Sequence, residues 1–143
     1  MKLAGYAALF GRPDGARDTI RAGAFALSLA GRTGPLPLFW QHRSDRRIGW
    51  VEQAAEDARG LRIVATLDNP DGRPARMLAA RAISGLSFGY RARRASHHPQ
   101  GRTLEEIDLF EVSLVTHPLQ HGARVHLVLP APPPGCEVLA HTA

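Results

Sequence analysis

Apart from two short stretches, every periodic segment of this chain repeats at two residues, and glycine or proline cuts each one off before a long helix can form. A chain written this way has to fold mainly as sheet. Gly60 to Leu67 is the clearest case, with Leu61, Ile63 and Ala65 alternating against Arg62, Val64 and Thr66. Further strands are predicted at Lys2 to Phe10, Leu36 to His42, Ile48 to Glu56, Leu86 to Arg93, Leu104 to Thr116 and Arg124 to Leu129, with a polar connection from Ala95 to Arg102. The exceptions are Ala75 to Ile83, where Met77, Leu78 and Ala82 share a helical face behind Asp71-Gly72-Arg73-Pro74, and a short helix from Gly23 to Leu29 closing at Gly31. The expected architecture is mainly β with helices (α+β): six or seven antiparallel strands in a closed or partly closed barrel flanked by helices.

Length and charge bound this further. The 143 residues, 44% of them hydrophobic, suffice for one core, which places a single domain at 1–129. Residues 130–143, opened by Pro130 to Pro134, cannot continue a sheet and read as a flexible tail. The lone cysteine, Cys136, falls in that tail and has no partner for an internal disulfide, so it is read as incidental. The net charge of +5 comes almost wholly from arginine, Lys2 being the sole lysine. Such a surface attracts polyanions and acidic segments alike and selects neither. The apolar run Ala24 to Leu27 ends at Ser28, too short for a signal or membrane segment, which predicts a soluble, intracellular protein with no membrane partner.

No cysteine–histidine spacing suits zinc and no phosphate-binding glycine loop occurs, so neither metal nor cofactor is expected. A hydrolase without either needs an activated nucleophile, a neutral imidazole and a group to orient that imidazole. Among the serines, Ser87 stands out within Gly85-Leu86-Ser87-Phe88-Gly89-Tyr90, where alternation gives it a face flanked only by glycines. That face leaves room for a substrate backbone, though glycines also mark ordinary bulges. Of seven histidines, His42 closes an apolar strand with Leu36, Leu38 and Trp40 on its own face, the most rigid setting on offer; His117 and His126 are lesser candidates. Glu111 interrupts Leu109-Phe110-Glu111-Val112-Ser113-Leu114-Val115, and a carboxylate there needs a partner or water. Asp108 is the rival acid, but strict alternation puts it on the opposite face.

Five segments resemble, in order, the prohead protease family of tailed bacteriophages, found also in gene transfer agents and similar to herpesvirus assemblins. They are Gly5-Tyr6-Ala7-Ala8, Asp18-Thr19-Ile20 leading to Gly23-Ala24-Phe25, Gln41-His42 before Ile48-Gly49, Gly85 to Tyr90, and Leu109 to Thr116 ahead of Pro118. The resemblance covers roughly residues 3–129 and departs from the family at Arg43, where an acidic residue often follows the histidine. It implies a serine endopeptidase with Ser87 as nucleophile, His42 as general base and Glu111 as third member, and an assemblin-like barrel of seven strands. It further implies cleavage, inside the procapsid in the bacterial cytoplasm, of the scaffolding segment of the major capsid protein or of a separate scaffold, and of the protease itself. By analogy with assemblins, backbone amides near Gly122 to Arg124 are the expected oxyanion donors, and a homodimer is left open.

Two rival readings remain in view. One is a basic barrel that binds nucleic acid through Arg91, Arg93 and Arg94 beside Tyr90, disfavoured because aromatics make up only 6% of the chain and form no stacking platform on one strand. The other keeps the fold without activity, as a capsid assembly factor.

Overall fold

A computed structural model of the chain describes residues 1–130; the proline-rich tail and Cys136 lie outside the described residues. Eight strands and two short helices follow one another as β1 (Lys2–Leu9), β2 (Asp18–Ile20), α1 (Ala26–Ala30), β3 (Leu36–Trp40), β4 (Arg43–Glu56), β5 (Gly60–Leu67), α2 (Arg73–Ala79), β6 (Gly85–His98), β7 (Gly101–Val115) and β8 (Val125–Leu129). All eight strands belong to one sheet. No helix among the described residues is long and apolar enough to cross a membrane.

The sheet is organised around β7. Along one edge it pairs antiparallel with β6 from Gly85↔Val115 to His98↔Gly101. Two parallel partners share its other edge: β2 pairs over Arg102 to Leu104, and β3 over Val112 to Leu114. Between them the edge is satisfied locally, for Ile107 N–H donates to the carbonyl of Ala24 and Leu109 N–H to Ser28 Oγ, each at 2.9 Å. Strands β3, β4, β5, β1 and β8 then run on as antiparallel neighbours. Two isolated bridges draw the sheet round: a parallel one at Phe10↔Ile20, where Gly11 N–H donates to the Ile20 carbonyl, and an antiparallel one at Gly85↔Arg124, carried by Leu86 N–H to the Ala123 carbonyl and Val125 N–H to that of Ser84. The result is a barrel-like sheet whose seam is held by isolated bridges rather than a ladder.

The expected mainly-β architecture holds, with differences that have physical causes. Strand β2 is only three residues long, too short to show a period, and brings parallel pairing into a sheet expected to be antiparallel. The stretch Ala95 to Arg102, read as a polar connection, carries the ladder on to His98 and Gly101; both faces there see water, so no apolar alternation marks it. Helix α2 begins at Arg73, within the entry expected ahead of Ala75, but stops at Ala79, because Arg81 adopts a left-handed φ of 58° and ends it before Ile83.

Inside the barrel, Leu3, Leu38, Leu61, Ile63, Leu86 and Leu114 are buried, contributed by the five strands β1, β3, β5, β6 and β7. Burying a side chain of this size is worth ~1.5–3 kcal/mol, so the alternation that specifies the register also supplies most of the drive to fold. Phe25, at the entrance to α1, packs edge-on against Phe88 at 5.3 Å, and Phe88 lies 4.9 Å from Tyr90.

At the far end of β7 a buried acid fixes β2. Arg102 donates from Nε and Nη2 to the two carboxylate oxygens of Asp18 at 3.0 and 2.9 Å, and the Tyr90 hydroxyl adds a longer bond of 3.4 Å. The guanidinium holds the Asp18 carboxyl below its ordinary 3.8. The folded protein therefore binds this proton less tightly than the unfolded chain. The pair's stabilisation is present above pH 3.8 and is lost as pH falls through the lower folded value. Because the Arg102 side chain is 35% exposed, Asp18→Asn should cost on the order of 2 kcal/mol near pH 7, less than the ~3–5 of a fully buried broken pair. Urea midpoints of wild type and variant, measured from pH 7 downward, should converge in acid; a gap independent of pH would remove the ionic account.

Candidate active site

The connection between β3 and β4 is as short as a hairpin allows. Trp40 pairs with Arg43, so Gln41 and His42 alone make the turn, with φ of 52° and 60°. Two positive values define the turn that matches strand twist, a position ordinarily given to Asn and Gly. For side chains with a Cβ the left-handed region costs roughly 1–2 kcal/mol per residue, so other contacts must hold it. They are present: Gln41 N–H donates to the Leu114 carbonyl at 3.0 Å, Gln41 Nε2 to Thr116 Oγ1 at 2.6 Å, and Thr116 N–H to Gln41 Oε1 at 3.1 Å. His42 is thus a turn residue and not the last residue of a strand. The alternation that grouped it with Leu36, Leu38 and Trp40 ends at Trp40.

From this turn the imidazole reaches β7, where His42 Nδ1 lies 2.6 Å from Glu111 Oε1. Glu111 is buried, whereas the His42 side chain is 45% exposed. The second carboxylate oxygen, Oε2, accepts from Ser113 Oγ at 2.7 Å. Hydrogen bonding to Glu111 raises the His42 pKa above its ordinary 6.5; burial works in the opposite direction and the carboxylate's charge adds to the rise. With its Nδ1–H held by an acceptor, a neutral His42 carries its free lone pair on Nε2.

Glu111 can face this way because of two local features of the β6–β7 ladder. Opposite it stands Gly89, where a Cβ would come within 2.5 Å of Oε1 and 2.7 Å of the Glu111 Cγ, so only glycine leaves the carboxylate its seat. Next to it the register slips, since Gly89 pairs with Glu111 but Tyr90 pairs with Leu109, and Phe110 is left as an extra, exposed residue. This bulge resets the alternation. It lets Leu109 and Val112 both enter the core, and it puts Asp108, opposite Arg91, on the same side of the sheet as Glu111 instead of the opposite one. Asp108 is nevertheless engaged elsewhere, accepting from Arg91 at 3.1 Å and from Arg93 at 3.2 Å. Those ion pairs occupy two of the arginines considered for nucleic acid, and the Tyr90 beside them is committed to Asp18.

The structure brings His42 and Glu111 together directly, and Ser87 only by position. Ser87 is half-buried on β6 and pairs across the ladder with Ser113, as Gly89 does with Glu111. Cross-strand partners and residues two apart share a face, so Ser87 stands on the side of the sheet that bears Glu111, Ser113 and the imidazole. Among the described residues no hydrogen bond joins Ser87 to His42. The other candidate histidines are placed differently, with His126 packed edge-on to Tyr6 at 5.7 Å. Among the described residues no group of His, Cys, Asp or Glu is arranged to hold a metal. A cavity of about 520 Å³ between the end of α2 and β8, lined by Leu78, Ile83, Val125 and Val128, contains neither His42 nor Ser87.

This architecture is similar to that of the herpesvirus proteases. The chain superimposes on varicella-zoster virus protease with a TM-score of 0.61 at 18% identity, covering 87% of this chain and 62% of that one. For the KSHV protease, solved with a hexapeptide phosphonate inhibitor, the values are 0.60 and 17%, over 87% and 63%. At such identity the likeness speaks for the fold. Family membership comes from sequence: residues 1–131 match the model of the caudovirus prohead serine protease family, and the chain belongs to that family. It is 30% identical over 128 residues to the prohead protease of Enterobacteria phage HK97, an alignment that takes in 85% of this chain and spans 57% of the phage protein's length.

The His42–Glu111 bond makes a prediction that needs no substrate. Glu111→Gln removes the carboxylate's charge and leaves a weaker, neutral acceptor for Nδ1–H, so the His42 titration followed by NMR should move to lower pH. Gly89→Ala, by crowding the carboxylate, should lower it in the same direction. A His42 titration unmoved in both variants would mean that the bond does not persist in solution.

Proposed function

We propose that the chain is a serine endopeptidase of procapsid maturation in which Ser87 is the nucleophile, His42 the general base and Glu111 the carboxylate that orients the imidazole. The observation carrying this reading is the 2.6 Å bond from a half-exposed histidine to a buried glutamate, on the face of the sheet that also bears Ser87. In this mechanism Ser87 Oγ attacks a peptide carbonyl carbon while its proton passes to His42 Nε2, and Glu111 stabilises the imidazolium that forms. The tetrahedral intermediate collapses with breakage of the C–N bond, the amine leaving with the proton from Nε2. Water, deprotonated by the same nitrogen, then hydrolyses the acyl-enzyme and restores the Ser87 hydroxyl.

For the oxyanion, the backbone around Gly122 to Arg124 is our candidate. Arg124 sits opposite Gly85, two residues before Ser87, and its N–H takes no part in the Gly85↔Arg124 bridge, whose donors are Leu86 and Val125. The family description names a prohead serine protease; to it the proposal adds the substrate, a capsid protein's scaffolding segment or a separate scaffold cut inside the procapsid, together with self-cleavage and dimerisation.

Activity should follow the raised pKa of His42. The base works only when neutral, so kcat/KM should climb with pH through a value above 6.5, and that limb should shift down in Glu111→Gln along with a lower plateau. The decisive experiment is co-expression with the capsid gene, followed by mass analysis of the capsid protein's N-terminus. Wild type should yield a truncated species, and Ser87→Ala or His42→Ala should reduce its formation by on the order of 10⁴-fold or more while retaining a native thermal midpoint. Normal processing by Ser87→Ala would overturn the assignment, and a fluorophosphonate probe that labels wild type but not that variant would support it.

A further inference from the structure

Ser113 is fully buried near the C-terminal end of β7 and its hydroxyl is engaged on both sides. It lies 2.7 Å from Glu111 Oε2, and it receives the backbone N–H of His42 at 3.1 Å. A hydroxyl has one proton to give and two lone pairs to offer. The amide can only donate and an ionised carboxylate can only accept, so the directions are fixed: the His42 amide donates to Ser113, and Ser113 donates to Glu111. Through its backbone the same residue pairs with Phe39 on β3 and with Ser87 on β6.

We infer that Ser113 is a positioning residue of the catalytic group, one hydroxyl that sets the carboxylate and the turn carrying the base in register with each other. Its bond to Oε2 stops the Glu111 carboxylate from rotating, which leaves Oε1 aimed at Nδ1. The bond it accepts from the His42 amide holds a residue at a φ of 60°, a conformation the turn would otherwise leave readily. Gln41 and Thr116 tie the first half of that turn, and Ser113 is the tie for the half that bears the imidazole. A residue in this role touches neither substrate nor the reacting atoms, so its removal should disturb turnover and leave binding largely alone.

This inference rests on the triad reading for its kinetic arm only. Ser113→Ala, which leaves Oε2 and the His42 amide without their partner, should lower kcat on the order of 10²-fold, the usual penalty for a misplaced catalytic group, with KM near wild type. Should alanine fail to fold, Ser113→Thr and Ser113→Val isolate the hydroxyl, since the two share a shape and differ only in that group. Threonine should keep most of the turnover and valine should lose it. The second arm is spectroscopic: the low-field proton resonance of His42 Nδ1–H, identified by its absence in His42→Ala, should persist in Ser113→Thr and broaden or vanish in Ser113→Ala and Ser113→Val. Equal kcat for threonine and valine, or an unaltered resonance in the alanine or valine variant, would overturn the role of Ser113. If instead Ser87→Ala were fully active, the triad reading would fall, and the resonance would still decide what Ser113 does.

Discussion

One hydrogen bond organises the site: that between His42 Nδ1 and Glu111 Oε1. It joins a turn at the end of β3 to the interior of β7, and its two partners differ in surroundings. The carboxylate is buried, bonded at both oxygens and seated over a glycine; the imidazole stands half in water. A buried carboxylate without such partners would cost several kcal/mol, so the glutamate is the fixed member and the ring the one free to exchange protons with what lies outside. The core strand supplies rigidity and the turn supplies access. Neither element alone could do both.

The same strand carries a second buried acid contact, and the contrast between the two is instructive. At its start Arg102 grips Asp18, and toward its end Glu111 grips His42. Guanidinium stays charged at every physiological pH and forks onto both carboxylate oxygens, which adds a permanent side-chain fastener to the backbone bonds of a three-residue strand. Imidazole changes charge near neutrality and engages one oxygen, leaving the other for Ser113. Chemistry that can switch sits where there is exposure, and chemistry that cannot sits where the sheet needs pinning.

Much of the fold was legible because most of it obeys a two-residue period. Gly60 to Leu67 is a strand with the bounds its alternation set, and the helices begin where proline and small residues allow. The local turn chemistry was harder. Gln41-His42 lacks the Asn-Gly signature of a tight hairpin, so His42 read as strand, and the slip at Phe110 inverted the side assigned to Asp108. His42 was singled out by an alternation that ends at Trp40, whereas Glu111 was found as an acid in need of a partner, an argument that depends on residue type and burial and not on register. Ser113 and Gly89 were missed as site residues because their importance lies in what stands across the ladder. One signal was available: Ser113 is two residues from Glu111 on an otherwise apolar strand, which puts two polar groups on one face of it.

The two-residue turn has a consequence for how such a chain diversifies. A connection of minimum length has no slack, and inserting or deleting one residue there would swing the ring away from its acid, since strand side chains change sides with every position. Length variation is therefore barred beside the base. Just beyond it the constraint lifts: Phe39 pairs with Arg47 and Trp40 with Arg43, so Ser44, Asp45 and Arg46 bow out of the ladder, all exposed. That excursion is where sequence can grow, shrink or change charge near the imidazole without moving it.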